Sequence, residues 1–486
     1  MFYKKRISVA APKSKATAIK FTGEINRVID RASLPQSVAI NCYNCNGNNG
    51  SLTHNGGFEK FCQKINGADC YITPPAGAKF LDGWYYKRWD NEYQVNDDRY
   101  VFLLDDGTLC SFGVHDISVK LSHIQGAELS GAISGECYRL ADSDVLILSG
   151  ENSVLTVVDG NKAYAVSGAP AASSMCVHYE RLFVTADNAL WFSDDLDPTN
   201  WNVSLDQAGY IQFADNKGAP LKAVSYQDYL YLFREYGITR IAAYAEQESF
   251  TVTEVCSLAS RIIASTVAVC GENILFLTEE GLYTFDGVTA SRLLPHLDGV
   301  WQSSPDASAA FCKGRYMLSC NINYDDGEKV MSEWEGASNN TFLTYRLDDG
   351  ELKIVRGCGV RKIIPTFNRQ SDALMLFEDS ICLDAGQMCQ TNTFFETPMQ
   401  SCYVFPKTDL GFPDREKLIE KIVLECEDEV TLEVNLDGKT FCYDLRGSEK
   451  AQKVIIKERA ELFELVVRSQ SCSFKVRPLL LYFNVR

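Results

Sequence analysis

The feature that most constrains this chain is a turn that keeps returning. Asp105-Asp106-Gly107, Asp159-Gly160, Ala186-Asp187-Asn188, Glu235-Tyr236-Gly237, Glu279-Glu280-Gly281, Asp348-Asp349-Gly350 and Glu378-Asp379-Ser380 each lie between short apolar runs. Gly and Asn tolerate positive φ, so most of these segments let the chain reverse between strands. From Gly107 to Ser380 there are six intervals over 273 residues, a mean of about 45, with single gaps of about 28 to 69. The runs they punctuate (100–104, 145–149, 181–185, 229–233, 273–277 and 316–321) have strand length, and helical periodicity is nearly absent. A hairpin unit recurring about every 45 residues is what a four-stranded propeller blade occupies.

The gaps are uneven and there is no WD or kelch signature, so the spacing leaves the blade number open. Stacked sandwiches are the alternative, but they do not call for one hairpin unit repeated over some 340 residues. After Cys402 the pattern changes. Residues 403–417 carry Pro406, Gly411 and Pro413, and about six strand-like runs follow, at 418–424, 430–435, 439–445, 453–457, 461–467 and 474–482. The expectation is an all-β chain: an N-terminal arm over 1–40, a β-propeller of about six to eight blades over 41–400, and a C-terminal antiparallel β-sandwich over 401–486.

Charge narrows the function classes. Lys and Arg number 47 against 64 Asp and Glu, a net charge of −17, which argues against a protein whose main task is gripping nucleic acid. After Lys4, Lys5 and Arg6 the apolar run 7–11 is too brief for a signal-peptide core, and the run 262–270 is far short of the roughly 20 residues of a membrane helix. Neither export by a signal peptide nor a membrane span is expected. The 18 cysteines are scattered from Cys42 to Cys472, and Cys110, Cys176, Cys256, Cys320 and Cys442 sit inside strand patterns, where a reduced thiol packs as a small apolar group.

Few motifs carry chemistry. The five histidines, His54, His115, His123, His178 and His296, show no metal-ligand spacing. Cys42-Tyr43-Asn44-Cys45, with Cys62 and Cys70 nearby, has the spacing of a zinc knuckle or redox pair but lacks a second close pair. Gly438-Lys439-Thr440 imitates the end of a phosphate loop, yet Leu436-Asp437-Gly438 reads as a hairpin turn, and 46–57 reads as a flexible loop without the strand and helix of a dinucleotide site. Asp194, Asp195 and Asp197 lack the spacing of a calcium loop, and neither they nor Asp348 and Asp349 stand in a recognisable glycosidase box. No nucleophile elbow is present. Catalytic, cofactor-binding and metal residues are therefore all assigned as none, and no enzyme is expected. An alternative is a host-glycan-binding or glycan-hydrolysing propeller, its axial pocket formed by loops bearing Trp84, Trp89, Trp301 or Trp334.

Two stretches carry a family likeness. The first spans 26–61, with Leu34-Pro35-Gln36, Asn41-Cys42-Tyr43-Asn44, Gly50-Ser51-Leu52 and Gly56-Gly57-Phe58; it resembles the opening of bacteriophage tail and neck propeller proteins. The second spans 178–241. Its pieces are Tyr179-Glu180-Arg181-Leu182-Phe183, Leu190-Trp191-Phe192-Ser193, Asp197-Pro198-Thr199-Asn200-Trp201, Leu230-Tyr231-Leu232-Phe233-Arg234 and Gly237-Ile238-Thr239-Arg240-Ile241, in an order similar to that of phage hub, nozzle or stabilisation proteins. The chain departs from those proteins in its many cysteines and in having His54-Asn55-Gly56-Gly57 where they carry a basic hairpin tip. The resemblance implies a non-enzymatic virion structural protein, part of a neck or tail ring or nozzle that DNA passes through without tight binding. It further implies a cyclic homo-oligomer of six copies, portal and other neck or tail proteins as partners, and assembly in the bacterial host cytoplasm. It implies no catalytic residue; Trp191, Trp201 and Phe233 read as aromatics within or between blades.

Overall fold

The computed structural model describes residues 14–28, 35, 37–66, 68–114, 116, 120–130, 134–150, 155–205, 208–244, 246–324, 339–366, 373–384 and 391–485. Among these the fold is all-β, its helical content limited to four three-residue 3-10 turns. No helix is long and apolar enough to cross a membrane. The chain divides into two compact units. One comprises residues 1–57, 352–355 and 389–486; the other comprises 58–351 and 356–388.

The larger unit is the propeller. Seven sheets follow one another along its described residues, each beginning with an inner strand: Phe80–Tyr86, Ser134–Leu140, Ser174–His178, Pro220–Tyr226, Ala268–Cys270, Ser308–Cys312 and Lys362–Pro365. We number the blades 1 to 7 in that order. Within each, consecutive strands pair antiparallel, as Tyr226↔Tyr229 and Leu230↔Ile241 do in blade 4. Blades 1 and 2 are also joined by a single parallel bridge, Gln125↔Lys162.

Apolar alternation explains the blade stacking. The strands of a blade send alternate residues to opposite neighbours, so Leu182, Val184 and Met175 pack towards blade 2 while Phe183, Leu190 and Cys176 pack towards blade 4. The ring closes where Ile364, Leu374 and Leu376 of blade 7 share a core with Phe80, Tyr100 and Phe102 of blade 1. A segment ahead of blade 1 seals that seam: Phe61 N donates to Ile381 O of blade 7 at 2.7 Å, and Phe58 sits 5.8 Å, ring to ring, from Phe377.

The smaller unit is a sandwich of two antiparallel sheets, and it draws on both ends of the chain. Lys15–Ile19 pairs with Leu479–Val485, Ser51–His54 pairs with Lys475–Val476, and Asn41–Tyr43 pairs with Ser401–Val404. The boundaries expected at 40/41 and 400/401 therefore move to 57/58 and 388/389. The residues read as an arm and as the start of the propeller are sandwich strands, with Ile19, Phe21 and Ile25 buried in its core and Phe21 lying edge-on to Tyr403. The stretch 46–57, expected as a flexible loop, is an ordered hairpin. Cys45–Asn48 pairs with Ser51–His54, and Asn55 is buried with its amide donating to Ile354 O.

Candidate functional site

The inner strands surround an axial cavity of about 800 Å³ within the propeller unit. Its chemistry follows from one repeated position. Ser134, Ser174, Lys222, Ser308 and Lys362, one per blade, line the cavity near the start of their inner strands. Asp82 and Thr266 stand at the corresponding places in blades 1 and 5. These groups bond from blade to blade: Met175 N donates to Ser134 Oγ at 3.2 Å, Ile363 N to Ser308 Oγ at 3.0 Å, Lys222 Nζ to Val267 O at 2.9 Å, and Lys362 Nζ lies 3.1 Å from Asp82 Oδ1.

Ser174 breaks the pattern. Its Oγ is buried without a hydrogen-bond partner, and the inner strand of blade 4, against which it faces, carries a bulge between Pro220 and Lys222. The shifted register coincides with the loss of the bond that the serines of blades 2 and 6 receive. Beside it the cavity holds opposed charges. Burial pushes the Glu136 carboxyl up to about 7 against the pull of Lys222. Burial, and then the Lys362 charge, bring the Lys222 ammonium down to about 8. Both side chains keep part of their surface exposed, so their setting is that of a half-open cavity rather than a sealed core.

Four residues beyond the cavity position a second repeat latches the blades. Tyr86 OH donates to Asp144 O at 2.6 Å, Tyr138 OH to Glu180 O at 2.6 Å, and Tyr226 OH to Glu272 O. In blade 3 the place is held by His178, whose Nδ1 meets Ser225 Oγ at 2.8 Å while Nε2 is buried without a partner; burial lowers its pKa to about 4. The segments that follow the inner strands of blades 1 to 5 carry the exposed carboxylates Glu92, Asp142, Glu180, Asp228 and Glu272.

The other candidates resolve one by one. Cys42 and Cys45 lie 3.8 Å apart, sulfur to sulfur, buried beside Cys402 in the sandwich, and burial drives the Cys45 thiol far upward. Cys62 and Cys70 belong to a hairpin of the propeller unit. No group of three or more His, Cys, Asp or Glu able to hold a metal occurs among the described residues. Cys110, Cys176 and Cys320 are buried, but Cys442 is exposed, because its strand Lys439–Leu445 is the edge of its sheet.

Gly438-Lys439-Thr440 is part of a hairpin, with Asp437 and Gly438 both at positive φ. The Asp194 and Asp197 carboxylates are spent inside their own loop, accepting from Asn200 Nδ2 and from Thr199 N and Oγ1. His54 meets the Phe474 backbone, His123 is exposed and His296 half-buried. Trp84 lines the axial cavity, Trp89 is exposed on a hairpin and Trp301 is buried. Trp201 and Phe233 are core residues, and Trp191 lies tilted against Tyr210, 4.6 Å between ring centres. His115 and Trp334 lie outside the described residues. Sequence reasoning missed the lysine pair and Ser174. Their signal was a polar residue starting an inner strand in blade after blade.

No family model and no curated protein matches the chain. Among solved structures it is similar to the extracellular domain assigned to a hybrid two-component system of B. thetaiotaomicron, with TM-score 0.41 and 9% identity over 82% of this chain and 47% of that one. The chain thus spans about half the length of that protein. It is also similar to BBS1N, solved in complex with ARL6DN, with TM-score 0.42 and 9% identity over 68% of this chain and 97% of that one.

Proposed function

We propose that this chain is a non-enzymatic structural component of a phage neck or tail, one subunit of a cyclic assembly through which DNA passes without being held. The reading begins from the resemblance of 26–61 and 178–241 to phage tail proteins. The observation that carries it further is the row of exposed carboxylates, Glu92, Asp142, Glu180, Asp228 and Glu272, on successive blades. Such a row, on a chain of net charge −17, repels phosphate within a Debye length of about 8 Å and disfavours adhesion of a duplex.

Quantitative mass spectrometry of nuclease-resistant particles from the source culture tests the assignment. A fixed ratio to the portal protein is expected; absence from particles, with the chain left in the soluble fraction, overturns it. A second reading, a glycan-binding propeller, is favoured by one observation, the presence of Trp84 in the wall of the axial cavity. A glycan array that lights up with the wild-type chain and fades with Trp84→Ala would move the assignment there.

A further inference from the structure

We propose that the axial cavity binds a small organic anion, its carboxylate seated between the Lys222 ammonium and the Ser174 hydroxyl, with Lys362 as a second cation and Trp84 as an apolar wall. The proposal stands apart from the particle reading. Either can fail without the other.

Three observations lead to it. The cavity, at about 800 Å³, falls within the range of roughly 300 to 1,000 Å³ typical of small-molecule sites. Ser174 lines it and is 5% exposed, and its Oγ, itself covered, has no partner, an expensive arrangement that turning the side chain toward a bound anion would relieve. Lys222 lines it as well, and among the described residues its side chain bonds only to the neutral Val267 carbonyl. No described carboxylate makes an ion pair with it, whereas Lys362 has Asp82 at 3.1 Å.

A partly buried cation, close enough to Lys362 to feel its charge, is stabilised by an incoming anion. Glu136, close by, carries a negative charge in its ionised form. Its repulsion favours an elongated ligand whose single anionic end sits at Lys222 while the rest lies along Trp84 and the serines at the cavity wall.

Isothermal titration calorimetry of the full chain against citrate, benzoate and inorganic phosphate, with glucose as the neutral control and all titrations in chloride buffer, tests this. Saturable binding of at least one carboxylate is expected, weakened at least tenfold by Lys222→Met and several-fold by Ser174→Ala, and retained within about threefold by Lys222→Arg. Since Lys222→Met removes an enclosed charge, its thermal midpoint should equal or exceed that of the wild type. Should it fail to fold, ligand-dependent change of tryptophan emission that disappears in Trp84→Phe reports the same site. No saturable carboxylate binding to the wild type overturns the proposal. So does carboxylate binding that Lys222→Met and Trp84→Phe leave unchanged, or preferential binding of glucose or of phosphate.

Discussion

At the scale of single residues, His178 shows how one substitution within a repeat creates a liability. Tyr86, Tyr138 and Tyr226 hold the blade-to-blade latch with a hydroxyl that stays neutral over the physiological range, whereas His178 is 2% exposed with one ring nitrogen unpartnered. Its folded-state pKa lies near 4 against an ordinary 6.5. A depressed pKa means that the unfolded chain binds the proton first, so the stability is fully present above 6.5 and is lost as pH falls towards 4. From an ordinary 6.5 to about 4, the loss approaches about 3 kcal/mol. Urea unfolding of the wild type and of His178→Tyr at pH 7.5 and pH 4.5 checks this. The variant should lose markedly less stability between the two pH values, and equal losses would show that the carboxylates alone govern acid sensitivity.

At the scale of elements, the sandwich hairpin depends on a close backbone approach. A Cβ on Gly57 would lie 1.9 Å from Thr393 O and 2.6 Å from Thr393 N, backbone atoms with no freedom to rotate away. Gly57→Ala should therefore force the 391–393 segment to move and cost at least about 3 kcal/mol, in the range of the larger core disruptions. A thermal midpoint unchanged within 2 °C would contradict it.

Element positions were largely legible, because period-2 alternation and turn chemistry are local. The strands found at Lys417–Glu427, Val430–Leu436 and Lys439–Leu445 match the runs expected at 418–424, 430–435 and 439–445. Pairing partners were not legible. That Lys15–Ile19 bonds to Leu479–Val485 is fixed by contacts across more than 450 residues, about which neither short segment carries information.

At the scale of the whole molecule, the uneven repeat has a physical explanation. The seven recurring turns fall one to a blade, but those at Asp105, Ala186, Glu235, Glu279 and Glu378 follow the second strand, while those at Asp159 and Asp348 follow the third. Moving one hairpin along the blade produces the short and long gaps without changing the period. The same regularity, read at the segments after the first strand, gathers the carboxylates of blades 1 to 5. The sequence concealed them, because each looks like an ordinary polar loop and only the ring makes them a set.

Replacing Glu92, Asp142, Glu180, Asp228 and Glu272 by Lys changes the net charge by +10, from −17 to −7. The molecule stays acidic as a whole while one row becomes basic. All five side chains are exposed, and each replacement shifts stability by up to about 0.5 kcal/mol, so the chain should still fold, with stability changed by no more than about 2.5 kcal/mol. Fluorescence anisotropy with a labelled duplex at 50 mM and 200 mM salt distinguishes local from global charge. The wild type should show no binding at either, and the variant should bind at the lower salt and release at the higher, as counterion release requires. Tight, salt-sensitive binding by the wild type would mean that the carboxylates do not keep DNA off, and the reading of a ring that lets DNA slide would fall with them.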